Sequence, residues 1–600
     1  MQRAGRAGRR QNSPAFVLTF AQRRSHDLAY YRHPEKLVSG EIPTPSVAIR
    51  NPKIVERHAR SVLIAAFLRW CVDNHNLFGE RDEMKIGPFF APGEGTLSGT
   101  ELFKQYLQNP PEDVRQALIR IVPKDLQDEL QIANWSWLLS LTNQENTGLL
   151  DLTTARVLED INLYNDLATK AFEEGTEQGA HKAARYRRIL NTIRGRDLLN
   201  FFGQRNILPK YGFPVDVVDF YTDHIPDDIA NRVLLQRDLR MAISEYAPGG
   251  KVVAGKRVFT GGGLYKQPKK DWETLNFVIC KNCGRFNKQK VEGLLTHCIA
   301  CGSGMPINVP WYGGEMLKPE FGFVARRENK LPSPGENPPK RIYASRVYFD
   351  DYNIPDHLQG VLETEHTQFS VEEALSSPQV KFETRYSRYG QLVVVNHGPN
   401  GRGFNICLNC GHAEPVPEEV PIGNQRKRTA KKAETTHKNP RTGRDCTASF
   451  TKVYRLGHDF ITDVLEVQVT GTLPFKMDVP PDKNLWRSVL YALLEGASQA
   501  LGIRRNDLNG TLYPYSPTYA PAIVLYDDVP GGAGHVRRIK NALPEVFQTA
   551  LERIQGCECG LETACHECLW NFYNQPYHDE LARGLAIEFL DKVLAQSSSK

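Results

Sequence analysis

CKNCGRFNKQKVEGLLTHCIAC, residues 280–301, sets two Cys-x-x-Cys pairs fourteen residues apart. Each pair holds two thiolates on one tight turn, and two such turns supply the tetrahedral set of four sulfurs that zinc takes. Gly284 and Gly302 follow the second cysteine of each pair, where the turn commonly needs a backbone angle that side chains resist. Paired spacing of this kind is specific, and it predicts a small β-module built round a metal rather than four unrelated thiols.

The other cysteines repeat the theme. Of twelve in the chain, eleven fall into three groups and Cys71 stands apart. CECGLETACHEC (557–568) offers Cys557, Cys559, Cys565 and Cys568, a full ligand set for zinc, the usual occupant, or for an iron–sulfur cluster. The middle group is incomplete: Cys407 and Cys410 make one pair and Cys446 follows a basic loop, so His412 or His437 must supply the fourth ligand, or the site is partial. Four protein ligands leave no position for water, so such metals hold folds together and do not hydrolyse. A secreted disulfide protein would be shorter and would scatter its cysteines. No apolar run reaches the ~18–20 residues needed to span a bilayer, and the opening lacks the apolar core of a secretory signal. The expectation is a cytoplasmic zinc protein without a membrane partner.

Six hundred residues exceed one hydrophobic core, which predicts roughly three to five domains. PAFVLTFA (14–21) reads as a strand, and apolar positions three and four apart make helices of residues 54–74 and 115–141. LATKAFEEGTEQGAHKAARYRRILNTIRGRDLLNFF (167–202) reads as one long charged helix. KVVAGKRVFTGGGL (251–264) reads as short strands with glycine turns, QLVVVNHG (391–398) and LEVQVTGTLPF (465–475) as strands, and WRSVLYALLEGASQALG (486–502) as an amphipathic helix.

A net charge of +6 names no partner, but its distribution is uneven. Arg185, Arg187, Arg188, Arg194 and Arg196 share one helix with Tyr186, Phe201 and Phe202 nearby, and Arg426, Lys427 and Arg428 open a basic loop reaching 444. Arginines neutralise phosphates and aromatic rings stack on exposed bases, while the bland reading of the helix is a solvated face over core aromatics. Together with the zinc turns, these segments favour DNA as a partner.

QRAGRAGRR (2–10) resembles motif VI of superfamily 2 helicases, Q/H-R-x-G-R-x-G-R. The resemblance implies that Arg6 and Arg9 act as fingers on the ATP γ-phosphate, where a planar charge offsets what builds on the transferring group. Gln2 and Arg3 would support the nucleotide cleft. VLYDDVPGGAGHVRRI (524–539), the last cysteine group and LWNFYNQPYHDELARGLA (569–586) are similar to the MrfA-like zinc-binding (MZB) domain that ends bacterial helicases of the Mrf type and DISARM DrmB proteins. LPKYGFP (208–214), AISEYAPGG (242–250) and LGHDFITDVL (456–465) resemble connecting segments of those helicases. The departures are large. TGGGLYK (260–266) is not a Walker A loop, and no DEAD or DEAH box is present. A transit peptide is the rival reading of the opening, with six arginines and no acid in residues 1–26, but it leaves the RxGRxGRR spacing unexplained.

The resemblance implies an α+β multidomain chain. Residues 1–50 would be the remnant of a second RecA-like α/β domain; 51–245 a mainly helical connector, open to a winged-helix arrangement; 246–328 a small β-domain with the four-cysteine zinc ribbon; 343–480 a β-rich domain with the second cysteine group and the basic loop; and 481–600 the α/β MZB domain. Function follows as the DNA- and zinc-binding part of an ATP-dependent DNA helicase in repair or antiphage defence. ATP and Mg would bind only with a motor chain or N-terminal half carrying Walker A and DEAH motifs, so Met1 would fall inside a catalytic motif. The alternative is a non-catalytic, DrmB-like nucleic-acid-binding subunit. A metal-dependent nuclease built on Asp507, Asp527 and Asp528 is a distant third.

Overall fold

The structure is a computed structural model describing residues 51–594, apart from 76, 78–83, 110, 210–215, 291–294, 306–311, 335–344, 353–364, 371–380, 418–436, 447, 449–450, 470–481, 516–518, 529–530 and 572–573, together with Tyr31 and Pro34. Gln2, Arg3, Arg6 and Arg9, the strand expected at 14–21, and Arg426, Lys427 and Arg428 lie outside the described residues.

Helices come first: α1 (Pro52–Asn74), α2 (Ile86–Phe90), α3 (Gly99–Tyr106), α4 (Glu112–Ile121), α5 (Lys124–Gln127), α6 (Leu149–Glu173), α7 (Glu177–Arg194) and α8 (Leu198–Gln204). Asn51 starts α1, its Oδ1 accepting from the Lys53 and Ile54 amides at 3.1 and 3.4 Å, with Pro52 pre-set at the first position. Val55, Ala59, Leu63, Phe67 and Cys71, four residues apart, form its buried stripe. Two expectations are corrected here. The 115–141 stretch is not one helix: α4 ends before Pro123, whose ring disfavours helical backbone at Val122, and α5 gives way to 3₁₀ turns at 132–134 and 136–140. The long helix at 167–202 is three helices, broken at Gly175 (φ +65°), with the Thr176 hydroxyl accepting from the Gly179 amide at 2.9 Å to start α7.

A five-stranded sheet follows, order β2-β1-β8-β4-β3, from β1 (Val217–Tyr221), β2 (Gln236–Asp238), β3 (Lys251–Ala254), β4 (Arg257–Leu264) and β8 (Phe323–Ala325), with α9 (Leu239–Glu245) packed on it. TGGGLYK begins inside β4, so its glycines serve a strand and not a phosphate loop.

The second sheet holds β5 (Thr274–Ile279), β6 (Phe286–Gln289), β7 (Gly313–Leu317), β9 (Ser345–Tyr352), β10 (Glu365–Ser370), β11 (Lys381–Asn396), β12 (Phe404–Ile406), β13 (Ala413–Pro415), β14 (Lys452–Val469), β15 (Leu508–Tyr513) and β16 (Ala522–Asp527). Its spine is β14. That strand pairs antiparallel with β11 over most of its length, parallel with β7 at Arg455 and Leu456, and antiparallel with β12 and β16 at its two ends. Strands from the segments 246–328, 343–480 and 481–600 therefore share one hydrogen-bonded surface.

On the C-terminal end of this sheet lies the largest apolar cluster, built round α10 (Lys483–Leu501) with α11 (His535–Asn541), α12 (Leu543–Gln555) and α13 (Arg583–Leu594). The amphipathic pattern of α10 undersells its burial, since Trp486 and Val489 through Leu494 are all buried. Gly496 permits the tight crossing, because a Cβ there would stand 2.6 Å from Ala550. Among the described residues no helix is long and apolar enough to cross a membrane.

Candidate metal centres

Strand β5 ends at Ile279 and the next residue is Cys280. The Gly284 amide returns to the Cys280 carbonyl at 2.8 Å, and the Cys280 amide donates to the Arg285 carbonyl at 2.9 Å, folding the pair into a knuckle before β6. Cys298 and Cys301 form the facing knuckle, with Gly302 donating to the Cys298 carbonyl at 2.9 Å. Gly284 (φ +83°) and Gly302 (φ +66°) adopt the left-handed backbone that the spacing predicts. The sulfurs of Cys280 and Cys301 stand 3.6 Å apart, and those of Cys283 and Cys298 3.7 Å. Four sulfurs bound tetrahedrally at ~2.3 Å span edges of about 3.8 Å, so the spacing fits one zinc ion. It is too long for a disulfide bond.

The middle centre is complete, and His437 completes it with Cys407, Cys410 and Cys446, their ligand atoms all within 4.8 Å of one another. His412 is not part of the set. Its ring stacks on His437 with centroids 5.0 Å apart, and its Nε2 sits 3.6 Å from a Glu414 carboxylate oxygen. Register decides between the two: the His412 carbonyl accepts from the Cys407 amide within the knuckle, while the His437 carbonyl accepts from the Cys446 amide, facing it. Cys407 and Cys446 stand 3.9 Å apart.

The third centre follows α12. Cys557 lies 3.6 Å from Cys559 and 3.5 Å from Cys565, and Cys559 lies 3.7 Å from Cys568. A four-iron cubane would spread the thiolates wider, since each binds a different iron; these distances fit a single ion. Arg583, at the start of α13, donates to the Ile554 carbonyl at 2.9 Å and to the Cys559 carbonyl, tying the loop to two helices. Cys557 and Cys568 belong to the main C-terminal core.

Each centre crowds thiols that cannot all ionise without a cation between them. Hydrogen bonding from Cys410 pulls the Cys407 thiol down to about 4, while Cys410 itself is driven far up. Bonding from Cys568 likewise brings Cys565 to about 5. A divalent ion replaces the remaining protons.

The two ribbon knuckles share more than the spacing revealed. ICKNCG (279–284) and ICLNCG (406–411) both leave a strand at isoleucine and place an asparagine before the second cysteine. Asn282 reaches the Cys301 sulfur at 3.8 Å, and Asn409 the Cys446 sulfur at 3.5 Å. An amide donor facing a metal thiolate orients it and moderates its charge. Aligning the two hexapeptides would have exposed these residues.

Helix α7, and the turn after it that holds Arg196, carry little free charge towards a ligand. Arg196 pairs with Glu273 at 2.6 Å and Glu320 at 3.1 Å, Arg188 with Asp271 at 2.9 Å, and Arg185 donates to Thr274 at 3.0 Å. Arg194 donates to the Ala91 carbonyl at 2.7 Å, and Arg187 lies over the Phe172 ring at 5.7 Å. Phe201 and Phe202 are buried against Phe89 and Phe90, so they pack a core and do not present faces to bases. Cys71 is likewise a core residue, its thiol pushed up to about 12 by burial.

The described residues on either side of 529–530 act as a structural clasp. Asp527 accepts from the His535 and Val536 amides at 3.1 and 2.9 Å, starting α11, and Asp463 accepts from Gly534 at 3.1 Å and pairs with Lys53. Arg57 donates to the Gly531 carbonyl, so α1 is bound to the C-terminal unit. Asp528 pairs with Arg240. Among the described residues, Asp507, Asp527 and Asp528 are not part of any cluster with metal-binding geometry.

The fold and the third centre define a zinc-binding module of a known kind: residues 489–569 match the family described as MZB, the MrfA Zn-binding domain. Across the chain as a whole, a curated relative is Druantia protein DruE of Escherichia coli (strain UMEA 4076-1), 26% identical over 641 aligned residues and 98% of this chain. The chain spans 32% of that protein's length. Crystal structures of the DUF1998 helicase MrfA bound to DNA, and bound to DNA and AMPPNP, align over 63% and 64% of this chain and 33% of each MrfA chain, at 13% and 10% identity. Their TM-scores of 0.26 and 0.25 are too low to carry an argument.

Proposed function

We propose that this chain is the DNA-engaging, zinc-stabilised part of an ATP-dependent DNA helicase acting in repair or antiphage defence. The observation that carries the reading is a complete four-cysteine centre set in the core of an MZB domain, joined in one chain to the motif VI-like QRAGRAGRR. In this reading the zinc ions are structural. Each closed centre fixes a hairpin or loop on the sheet, and the chemistry belongs to ATP and magnesium held by motor domains. Arg6 and Arg9 would reach the γ-phosphate, with Gln2 and Arg3 supporting the cleft.

The test uses the full chain, alone and with a protein carrying Walker A and DEAH motifs. Alone it should bind DNA with affinity falling steeply with salt, by a log–log slope near −0.9 per phosphate contacted on duplex, and hydrolyse no ATP. With the motor, DNA-stimulated hydrolysis should appear and fall at least ~100-fold on Arg9→Ala. Robust hydrolysis by the isolated chain would overturn this reading. A second reading, a non-catalytic nucleic-acid-binding subunit, is favoured by the place of TGGGLYK in strand β4. It requires Arg6→Ala and Arg9→Ala to leave the motor's hydrolysis unchanged.

A further inference from the structure

The apolar cores of this molecule divide at one place in the chain. Every buried side chain of the helical core lies between Val55 and Leu208, and every one in the other clusters lies at Val218 or beyond. Among the described residues, Tyr389 of β11 is the sheet's one apolar contribution to the helical core, and it is only partly buried.

What joins the two bodies is polar. Lys290, just after β6, pairs with Asp160 of α6, and Arg188 of α7 pairs with Asp271 at 2.9 Å. Arg196 pairs with Glu273 and Glu320, and Arg388 of β11 pairs with Glu56 of α1 at 3.3 Å. Arg185 and Thr192 add hydrogen bonds to the Thr274 hydroxyl and the Asp271 carbonyl. Between the bodies lies a cavity of about 430 Å³, with Arg156, Asp160 and Arg205 on its helical wall and Lys288, Asp350 and Asp459 on the sheet. A cavity of that size, so lined, has room and partners for water.

Charged surfaces part differently from apolar ones. On opening, each cation and carboxylate recovers its hydration, which offsets the lost Coulomb attraction. An apolar seam would instead expose its surface at ~25 cal/mol per Å². Polar interfaces between bodies of one chain therefore permit relative motion. This seam is also uneven. At the α1 end, buried ties back the half-exposed Arg388: Lys53 pairs with the fully buried Asp463, and the buried Arg57 donates to the Gly531 carbonyl. At the cavity end the cations are wetter, the Lys290 and Arg188 side chains being 36% and 42% exposed. Salt screens exposed pairs far more than buried ones.

We propose that the helical unit, the described residues of 51–208, is a rigid body that opens from the sheet at the cavity end and pivots on the α1 clasp. Lys290–Asp160 and Arg188–Asp271 form its salt-sensitive latch. The inference does not depend on the DNA-binding reading.

A carbodiimide joins a lysine amine to a carboxylate only when the two touch, so it reads the latch directly in the full zinc-bound chain. Cross-linked peptides are quantified by mass spectrometry over a series of salt concentrations. Lys318–Asp459, at 3.2 Å with side chains 20% and 32% exposed, lies within the sheet and is the internal control. Between low salt and about 1 M NaCl, the Lys290–Asp160 yield should fall at least ~3-fold relative to that control, and should recover on dilution. Arg188→Gln should bring the fall to lower salt, and it strands no carboxylate because Asp271 keeps Lys266 as a partner. If that variant loses zinc or fails to fold, the wild-type series decides alone. An equal fall in both cross-links, or no fall in either, overturns the inference, as does absence of the Lys290–Asp160 product at low salt. A fall accompanied by loss of helical circular dichroism means unfolding of the helices, and overturns rigid-body opening as well.

Discussion

His437 and His412 show how a single ligand choice is made. Both are histidines near the Cys407–Cys410 pair, and their rings stack 5.0 Å apart, but only His437 lies on the strand of chain facing the knuckle with Cys446. Full-length His437→Ala should therefore drop bound zinc from three ions to two, measured by inductively coupled plasma mass spectrometry, while His412→Ala should retain three. Equal loss in both variants would contradict the ligand set. Glu56 gives a second residue-level test. Burial pushes its pKa up, but Arg60 and Arg388 outweigh this and hold the carboxyl at about 2. Its folded pKa is depressed, so its contribution is present above the unfolded value near 4.5 and is lost as pH falls towards 2. That contribution is on the order of 3 kcal/mol. Glu56→Gln should lower stability at pH 7 and should flatten the loss of stability between pH 4.5 and 2 relative to wild type, read by urea unfolding.

At the scale of elements, the two ribbon hairpins are one device used twice: strand, ICxNCG knuckle, strand. The second is wedged against β4, where the Leu264 amide donates to the Gly411 carbonyl at 2.8 Å. Gly411 has φ +81°, and a Cβ there would collide with the Leu264 carbonyl oxygen. Gly411→Ala should therefore cost about 3 kcal/mol or more by urea unfolding, whereas Gly302→Ala, with open space around it, should cost only its backbone strain of ~1–2 kcal/mol. The spacing of the cysteines announced both hairpins. Helix lengths were less legible, because periodicity continues through Gly175 and Pro123 while the backbone cannot.

Over the whole molecule, β14 joins what the composition suggested were separate modules. The first two centres hang from hairpins at the sheet's margin, while Cys557 and Cys568 of the third are part of the largest core. Cys568→Ser should thus lower the melting temperature more than Cys283→Ser in differential scanning calorimetry. After chelation, hydrogen exchange should rise first at 280–301 and 407–446, with β14 protected until global unfolding. Simultaneous loss of protection in β14 would show that the metals support the sheet itself.

By itself the sequence determined the first and third ligand sets and the three cysteines of the middle one, because cysteine spacing within a knuckle is a local property of a few backbone angles. It also determined the strand–turn pattern around them and the MZB ending. The tertiary structure alone decided which histidine ligates, that the arginines of α7 and the turn after it are mostly engaged within the protein, that Phe201 and Phe202 are core, and that the helical unit meets the sheet through ion pairs. Each of these depends on residues distant in the chain meeting across an interface. Arg196 with Glu320 and Arg487 with Glu580 are such meetings, and no local pattern of charge or hydrophobicity encodes them.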